Sequence, residues 1–525
     1  MTREIWVADC ETDPFKKGRI PAPFIWGCFN GDDYFEFTST DAFLEFITAR
    51  DCIVYAHNGG KFDWHYCLHQ LEPFSDLMVI AGRLAKFQIG KAEFRDSYNI
   101  LPMPLSAWQK DEFDYSLMEP DVRHKPDNWA KIRRYLRHDC EYLYQMITEY
   151  IDRYGLNITQ ASSAMKVWQK ISGMKAPNTP QSFYEFFSPY YYGGRVECFE
   201  SGIIERPFKV IDINSAYPFA MKHHHPWGDN YVISDKLPNS RAYTERSFIH
   251  VRGRSLGALP YRTKTGLDFP NDALQREYFV TGWEFLAAVE TRTLVDWELI
   301  SCITFNDSIV FDDYVDEFYK MKDEAKANGD KASYIFAKLF LNSLYGKFAA
   351  NPDKYHEYTV VKPRYIEAAE CDGYDFCAEL AEWALMSRPL GDEKARYYNV
   401  ATAASITGFV RAYLWRAIND CKGVMYCDTD SIACDDTGGL SLDPSKLGAW
   451  DIESECTFGA IAGKKLYAFR DIHDKWKTAS KGVRLQPEEI VRVAAGETIA
   501  FTPESPSYSL KRGIGFITRK ISKSA

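Results

Sequence analysis

Residues 422–436 read KGVMYCDTDSIACDD, and the six at the centre, YCDTDS (426–431), decide how the rest of the chain is understood. Asp428 and Asp430 stand two residues apart between short apolar runs, the pattern of a hairpin with acids at its turn. Two carboxylates in an apolar setting repel each other, and each costs desolvation energy. The pair is therefore either a solvated turn or half of a metal site, and a metal site needs a further acid from another strand.

FKVIDINSAYPFAM (208–221) supplies a candidate, with an apolar strand reaching Asp212 and then a turn at Asn214-Ser215 into a helix. An aspartate there either caps the helix or faces the YCDTDS pair. AKLFLNSLYGKFA (337–349) reads as a helix with Lys338, Asn342 and Tyr345 on one stripe and Leu341, Leu344 and Phe348 on an adjacent apolar one. Lysine suits phosphates and tyrosine stacks on bases, so the polar stripe suits a nucleotide. Lys322 and Lys326, four apart in YKMKDEAK (319–326), add charge to the same cradle or form a solvated face.

A second set of acids lies near the start. In EIWVADCETD (4–13) an apolar strand leads to Asp9 and Glu11, two apart and so on one side of the strand. CIVYAHN (52–58) leads through GGKFD to Asp63, and in RRYLRHDCEYLYQMI (133–147) Tyr135 and Asp139 share a helical face. Asp9, Glu11, Asp63 and Asp139 at strand and helix ends can hold two Mg²⁺ or Mn²⁺ ions, which want oxygen ligands.

The 525-residue length suggests roughly three or four domains of ~150 residues. With 46% hydrophobic and 26% charged residues, it has the composition of a soluble protein with ample core. Its 33 Tyr, 34 Phe and 13 Trp fill cores or form stacking surfaces. A net charge of −10 argues against a uniformly basic nucleic-acid binder, so any such role needs local basic runs. Two are present: 464–481 has six Lys/Arg against two Asp, and 511–525 has Lys511, Arg512, Arg519, Lys520 and Lys523 with no acid.

Thirteen cysteines without a CxxC pair, and no secretory segment at the start, fit a reducing cytoplasm. No run approaches the ~18 apolar residues of a membrane span, and a P-loop is absent. His223, His224 and His225 read as a loop or packing feature, because adjacent side chains seldom converge on one ion. Short strands dominate 1–100, with helices at 129–152 and 161–171. Mixed strands and turns occupy 223–312, and two helices broken at Asn328-Gly329 fill 313–349. A turn-rich stretch covers 350–397 and a helix covers 398–419.

DCET (9–12), YAHNGGKFD (55–63) and YLRHD (135–139) resemble the three exonuclease motifs of the proofreading domain in family B DNA polymerases. The resemblance implies that Asp9, Glu11, Asp63 and Asp139 bind metal and that Tyr135 orients the attacking water. Thr12, His57, Asn58 and Phe62 would hold a single-stranded 3′ end, extended by Ser97 and Tyr98 of DSYNILP (96–102). VIDINSAY (210–217), the LNSLYGKFA helix and YCDTDS resemble polymerase motifs A, B and C. Asp212 and Asp430 then bridge the metals with Asp428 in support, Tyr217 is the steric gate, and Lys322 and Lys338 bind the triphosphate. Asn342 and Tyr345 complete the nucleotide contact. GKKLYAF (463–469) matches KxY, so Lys465 and Tyr467 would hold the primer terminus. YYGGR (191–195) matches YxGG, so Tyr191, Gly193 and Gly194 would track the template.

The closest resemblance is to the protein-primed subgroup of small linear-genome bacteriophages, through the short length, KLxLNSLYGKFA and two insertions flanking motif B. It implies a multidomain fold, α/β and α+β: an RNase-H-like (DEDD) exonuclease at 1–160 and a right-hand polymerase domain. The polymerase parts are a palm at 161–222 and 398–482, fingers at 313–349 and a thumb at 483–525. Insertions resembling terminal-protein regions 1 and 2 fall at 223–312 and 350–397. The expected protein is a monomeric DNA-directed DNA polymerase with 3′→5′ proofreading and strand displacement, located in the host cytoplasm. It would use two Mg²⁺ per site (Mn²⁺ able to substitute), with template and primer DNA, dNTPs and a terminal protein as partners. Three alternatives stay open on sequence: a stand-alone nuclease, a silent scaffold with structural aspartates, and a polymerase that starts without a protein primer.

Overall fold

Two large sheets carry the candidate acids, and each grows from an apolar strand that ends in an aspartate. The computed structural model describes residues 3–501 except 17, 381, 392 and 393, together with the backbone of 504–509, 513–518 and 521–523. Four of the expected basic thumb residues, Lys511, Arg512, Arg519 and Lys520, lie outside the described residues, as does the side chain of Lys523. Among the described residues no helix is long and apolar enough to cross a membrane.

In the N-terminal sheet, Glu4–Thr12 runs parallel to Cys52–Ala56 and antiparallel to Pro23–Phe29. Cys52–Ala56 in turn runs parallel to Ala92–Asp96. Parallel strands are covered on both faces, which is why their cores read as continuous apolar runs such as IWVA and CIVYA. The helix Pro126–Tyr154 covers one face through Leu136, Cys140, Leu143, Ile147 and Tyr150, spaced at three and four. Pro126 opens that helix and Gly155, at φ 76°, ends it. On the other face Trp26, Phe43 and Trp64 are fully buried, with Trp26 and Phe43 stacked at 4.6 Å.

The stretch 350–397 differs from the turn-rich expectation. It holds strands His356–Val361, Asp375–Leu380 and Trp383–Pro389, which extend the N-terminal sheet to ten strands. His356–Val361 joins Asp76–Ile80 through Tyr358↔Leu77 and Thr359↔Asp76. The Thr359 hydroxyl donates to the Ser75 carbonyl, 284 residues away in sequence. Trp383 is buried and its indole N–H donates to the Leu68 carbonyl at 3.1 Å. Strand partners so far apart fall in no common window of sequence, so these short strands read as a turn-rich stretch. The sheet that begins in 1–160 is completed by the insertion.

The second sheet has eight strands, with Phe208–Ile213 between Ser431–Asp436 and Trp450–Gly463. The helix Val400–Asp420 lies beneath it, buried along nearly its whole length. Its small residues permit close approach: a Cβ on Gly408 would sit 2.3 Å from Thr281 Oγ1. The first insertion forms a four-stranded sheet and also a helix, Gly282–Glu290, that hydropathy alone did not single out. Thr281 and Glu284 close its N-terminus as a reciprocal capping box. The helices Asp312–Asn328 and Lys331–Phe348 break at Gly329, which has φ 70°. His225 is fully buried, with Nδ1 2.8 Å from Ser405 Oγ and Nε2 2.7 Å from the Ala220 carbonyl oxygen. Burial pushes its pKa down to about 3, so it is a neutral packing residue.

Trp383→Ala removes a fully packed indole and its hydrogen bond where insertion and sheet meet. The expected cost is about 3–5 kcal/mol in denaturant unfolding. A midpoint unmoved by this change would contradict the shared core.

Candidate active sites

The register of the eight-stranded sheet brings acids from separate strands to one end. Asp212 pairs with Ser431 on one side and Asp451 on the other. The Ile213 N–H donates to the Asp430 carbonyl at 2.9 Å, and the Asp430 N–H donates to the Asp428 carbonyl at 2.7 Å. Thr429, at φ 62°, makes the left-handed bend between the two acids. Asp212 and Asp430 face a cavity of about 1060 Å³, joined there by Asp451 and Glu453. The last two were missed in the sequence, although the alternating acids of WDIESE (450–455) carry a period-two signal.

Burial, then Asp430 and Glu453, pushes the Asp212 carboxyl up to about 7. Burial, with Asp428 and Glu453, pushes Asp430 up to about 6. Asp428 is placed differently. Both its oxygens accept from Lys465 Nζ at 2.8 Å, so its charge already has a partner.

The two-helix unit also lines this cavity. Lys322, Lys326, Lys338 and Asn342 line it, and Lys322 Nζ donates to Ser215 Oγ at 3.2 Å. Burial and the nearby Lys326 and Lys338 hold Lys322 below the usual lysine range. Clustered cations of this kind suit a polyanion. Tyr217 and Tyr345 stack face to face, with centroids 4.3 Å apart and planes at 7°. Tyr467 is largely buried against Tyr426 and Phe469, while the Lys465 N–H donates to Tyr426 Oη at 2.9 Å.

The YYGGR loop lies against the acidic turn. A Cβ on Gly194 would stand 2.8 Å from Thr429 Oγ1, so only glycine lets the two segments meet. The Tyr191 carbonyl accepts from Arg262 at 2.8 Å. Arg411 donates to the carbonyls of Tyr192 and Gly193 at 2.6 and 2.9 Å and pairs with buried Glu284 at 2.6 Å. Sequence reasoning passed over Arg411, yet an arginine midway along so apolar a helix is a legible sign of a buried polar task.

Asp9 and Glu11 of the strand Glu4–Thr12 and Asp139 of the covering helix each bring a carboxylate oxygen within 4.8 Å of the others. Glu11 Oε1 and Asp139 Oδ1 are buried with no hydrogen-bond partner. Burial, then Asp139, pushes Glu11 up to about 8, and burial with Asp63, Glu11 and Asp139 raises Asp9 well above the carboxylate range. Oxygen-only donors with unpartnered buried atoms fit a hard divalent cation. Asp63 stands beside this trio: its Oδ1 accepts from the Cys10 thiol at 3.2 Å, and burial raises it to about 6.

Lys110 was not singled out in the sequence, because a lone lysine in a polar loop carries no periodic signal. Its Nζ donates to Asp139 Oδ2 at 3.0 Å and lies 5.3 Å from the centre of the Tyr135 ring. Burial opposes its charge, but Asp139 and Asp9 outweigh it and hold its pKa at about 12. Tyr135 Oη lies 3.0 Å from Tyr115 Oη. His57 bridges Ser97 Oγ at 2.9 Å and the Met103 carbonyl at 2.8 Å, and burial lowers it to about 4. It therefore pins the Ser97–Tyr98 segment as a neutral ring, with Arg83 4.2 Å over Tyr98. Thr12 is buried beside Asp13, Asn58 has φ 64°, and Phe62 packs on Phe15 at 5.9 Å.

These carboxyls titrate above the ordinary value of about 4. The folded protein thus holds more protons than the unfolded chain between pH ~4 and ~8, and its metal-free stability falls as pH rises through that window. A divalent cation bound to these oxygens would compete with those protons. Adding Mg²⁺ to chelator-treated protein is expected to raise the melting temperature by several degrees more at about pH 8 than at about pH 5. Equal gains at both values would count against shared metal and proton sites.

The family profile described as DNA polymerase type B, organellar and viral, matches residues 108–375. The DNA-directed DNA polymerase of Enterobacteria phage PRD1 is 38% identical, over 98% of this chain and 97% of its own length. The DNA polymerase of Bacillus phage phi29 is 24% identical, over 90% of this chain and 88% of its own. Phi29 DNA polymerase solved with primer-template DNA and incoming nucleotides superposes with a TM-score of 0.76 at 20% identity, over 99% of each chain. That agreement extends the shared multidomain fold over nearly the whole molecule. On this sequence similarity, with the acids and lysines gathered as described, the chain belongs to the organellar and viral type B DNA polymerases.

Proposed function

We propose that this polymerase copies a DNA template from dNTPs at the Asp212–Asp430 cavity and removes 3′-terminal nucleotides at the Asp9–Glu11–Asp139 cluster. The carrying observation is one cavity lined both by the sheet acids Asp212, Asp430, Asp451 and Glu453 and by Lys322, Lys326 and Lys338 of the two-helix unit, a mixed lining that suits a metal-bound nucleoside triphosphate. The phage PRD1 relative is a DNA-directed DNA polymerase, and the phi29 enzyme was solved with primer-template DNA and nucleotides.

Asp212 and Asp430 would hold Mg²⁺ for synthesis, and Asp9, Glu11 and Asp139, with Asp63 alongside, would hold it for hydrolysis. When bound, two such ions stabilise the attacking and leaving oxygens of an in-line displacement, and Mn²⁺ can substitute. Lys322 and Lys338 neutralise the triphosphate. Tyr217 packs against the deoxyribose and excludes a 2′-hydroxyl, and Tyr345 supports it from behind. Lys465 balances Asp428 and meets the primer terminus with Tyr467, while Asn342 borders the incoming nucleotide. Tyr191, Gly193 and Gly194 carry the template past the Thr429 turn. In the nuclease site Lys110 orients Asp139, and Tyr135 positions the attacking water. Thr12, Asn58, Phe62 and Tyr98 grip the frayed 3′ end, with His57 and Ser97 as their support.

Residues 1–160 form the nuclease with strands borrowed from 350–397, and 161–222 with 398–482 form the palm. Residues 313–349 are the fingers and 483–525 the thumb. The insertion at 223–312 receives a terminal protein whose hydroxyl primes a linear genome, and the enzyme displaces the non-template strand in the host cytoplasm.

Asp430→Asn is expected to lower dNTP incorporation by about 10³-fold while 3′-end degradation persists. Asp9→Ala combined with Glu11→Ala is expected to do the reverse, and Lys110→Ala to slow degradation by about 10–100-fold. Retained degradation in the double variant would falsify the nuclease assignment. Priming is read by labelled dNMP joined covalently to a partner protein. Label found only on oligonucleotide primers would favour a nucleic-acid primer instead.

A further inference from the structure

We propose that Arg195 is a positioning residue for synthesis, tying the Asp428–Asp430 turn to residues 257–258 of the first insertion. This rests on the reading of that turn as part of the polymerisation site.

Arg195 is wholly buried, 0% exposed, and it follows Gly194 in the loop that meets the turn. Its carbonyl accepts from the Thr429 N–H at 2.6 Å, a bond that lands between the two acids. The next residues, Val196 and Glu197, pair with Asp428 and Cys427 in the sheet. The backbone of 195–197 therefore runs the length of the turn's outer side.

The side chain points away into the first insertion. Nη2 donates to the Gly257 carbonyl at 2.6 Å and also pairs with Glu197. The guanidinium lies between two rings, 4.1 Å from Phe269 and 4.2 Å from Trp415. Gly257 is itself anchored, its N–H donating to the Pro270 carbonyl at 2.9 Å. An apolar side chain could fill the slot between the rings without the desolvation cost of a buried charge. Only a planar, multiply donating group fills it and holds the 257 carbonyl at once. Arg195 thus transmits the position of the first insertion to the backbone that sets Asp430 against Asp212. A shift of residues 257–258 is therefore felt at the turn through Arg195.

The test uses the full chain carrying Arg195→Lys, Arg195→Met with Glu197→Gln (so that no unpaired acid is buried), and, as a milder change that leaves the charge pair, Phe269→Leu. Three quantities are measured: steady-state dNTP incorporation, 3′-end degradation, and deuterium exchange of the 426–431 amides without substrate. The double variant is expected to lose about tenfold in kcat with KM for dNTP within about twofold, and to degrade DNA normally. Exchange at 426–431 should quicken by about tenfold. Arg195→Lys should recover part of both effects, and Phe269→Leu should show a smaller version of the same pattern. Unchanged kcat with unchanged exchange overturns the inference, and so does a parallel fall in degradation, which would mean general loosening. If wild-type protein incorporates no dNTP, the functional reading fails, and amide exchange still decides whether Arg195 holds the turn.

Discussion

Carboxylates crowded at the edge of an apolar core are the constraint on which the rest of this structure depends. Asp212 and Asp430 repel each other across adjacent strands, and Asp9, Glu11 and Asp139 do so in the other sheet. Burial first and mutual repulsion second push Asp212 and Glu11 well above the ordinary carboxylate range, despite nearby lysines. A chain spends stability on such an arrangement only at a place where cations will arrive. Sheet register sets the backbone around each cluster, with a left-handed bend at Thr429 in the second.

The cations that do exist in the protein are placed with discrimination. Lys465 satisfies Asp428 and leaves Asp430 open, which makes two acids of one short turn unequal. Lys110 satisfies one oxygen of Asp139, while the other oxygen stays buried and unpartnered. Lys322 and Lys338 line the same cavity as Asp212 and Asp430 from a different structural unit, the two-helix pair. An overall charge of −10 is compatible with a DNA enzyme because acids and bases are sorted by location.

Buried arginines hold the parts together where the sequence shows only insertions. Arg411 reaches from the central helix to the YYGGR carbonyls and to Glu284, and Arg195 reaches from that loop to Gly257. Both contacts run into the first insertion, so that segment is continuous in packing with the central helix and the YYGGR loop. The second insertion is continuous with the nuclease sheet by strand pairing and by Trp383. Two segments that look like additions in the linear chain are packed into the body of the fold.

Local chemistry made much of this protein readable in one dimension. Apolar runs ending in aspartate marked Asp9, Asp212 and the Asp428–Asp430 turn, because a strand buried on both faces must be apolar until it emerges. Helical spacing marked Tyr135 with Asp139, and Lys338 with Asn342. What remained hidden depends on distance along the chain. Thr359 meets Ser75 across 284 residues, and no local window contains that pairing. Lys110 gains its role only when its loop folds over Asp139, and Asp451 only when its strand lands beside Asp212. By itself the sequence determined which side chains carry charge at the ends of apolar elements, since burial and periodicity act residue by residue. Tertiary structure alone decided which charges face one another, because Coulombic and hydrogen-bonding partners are chosen in space.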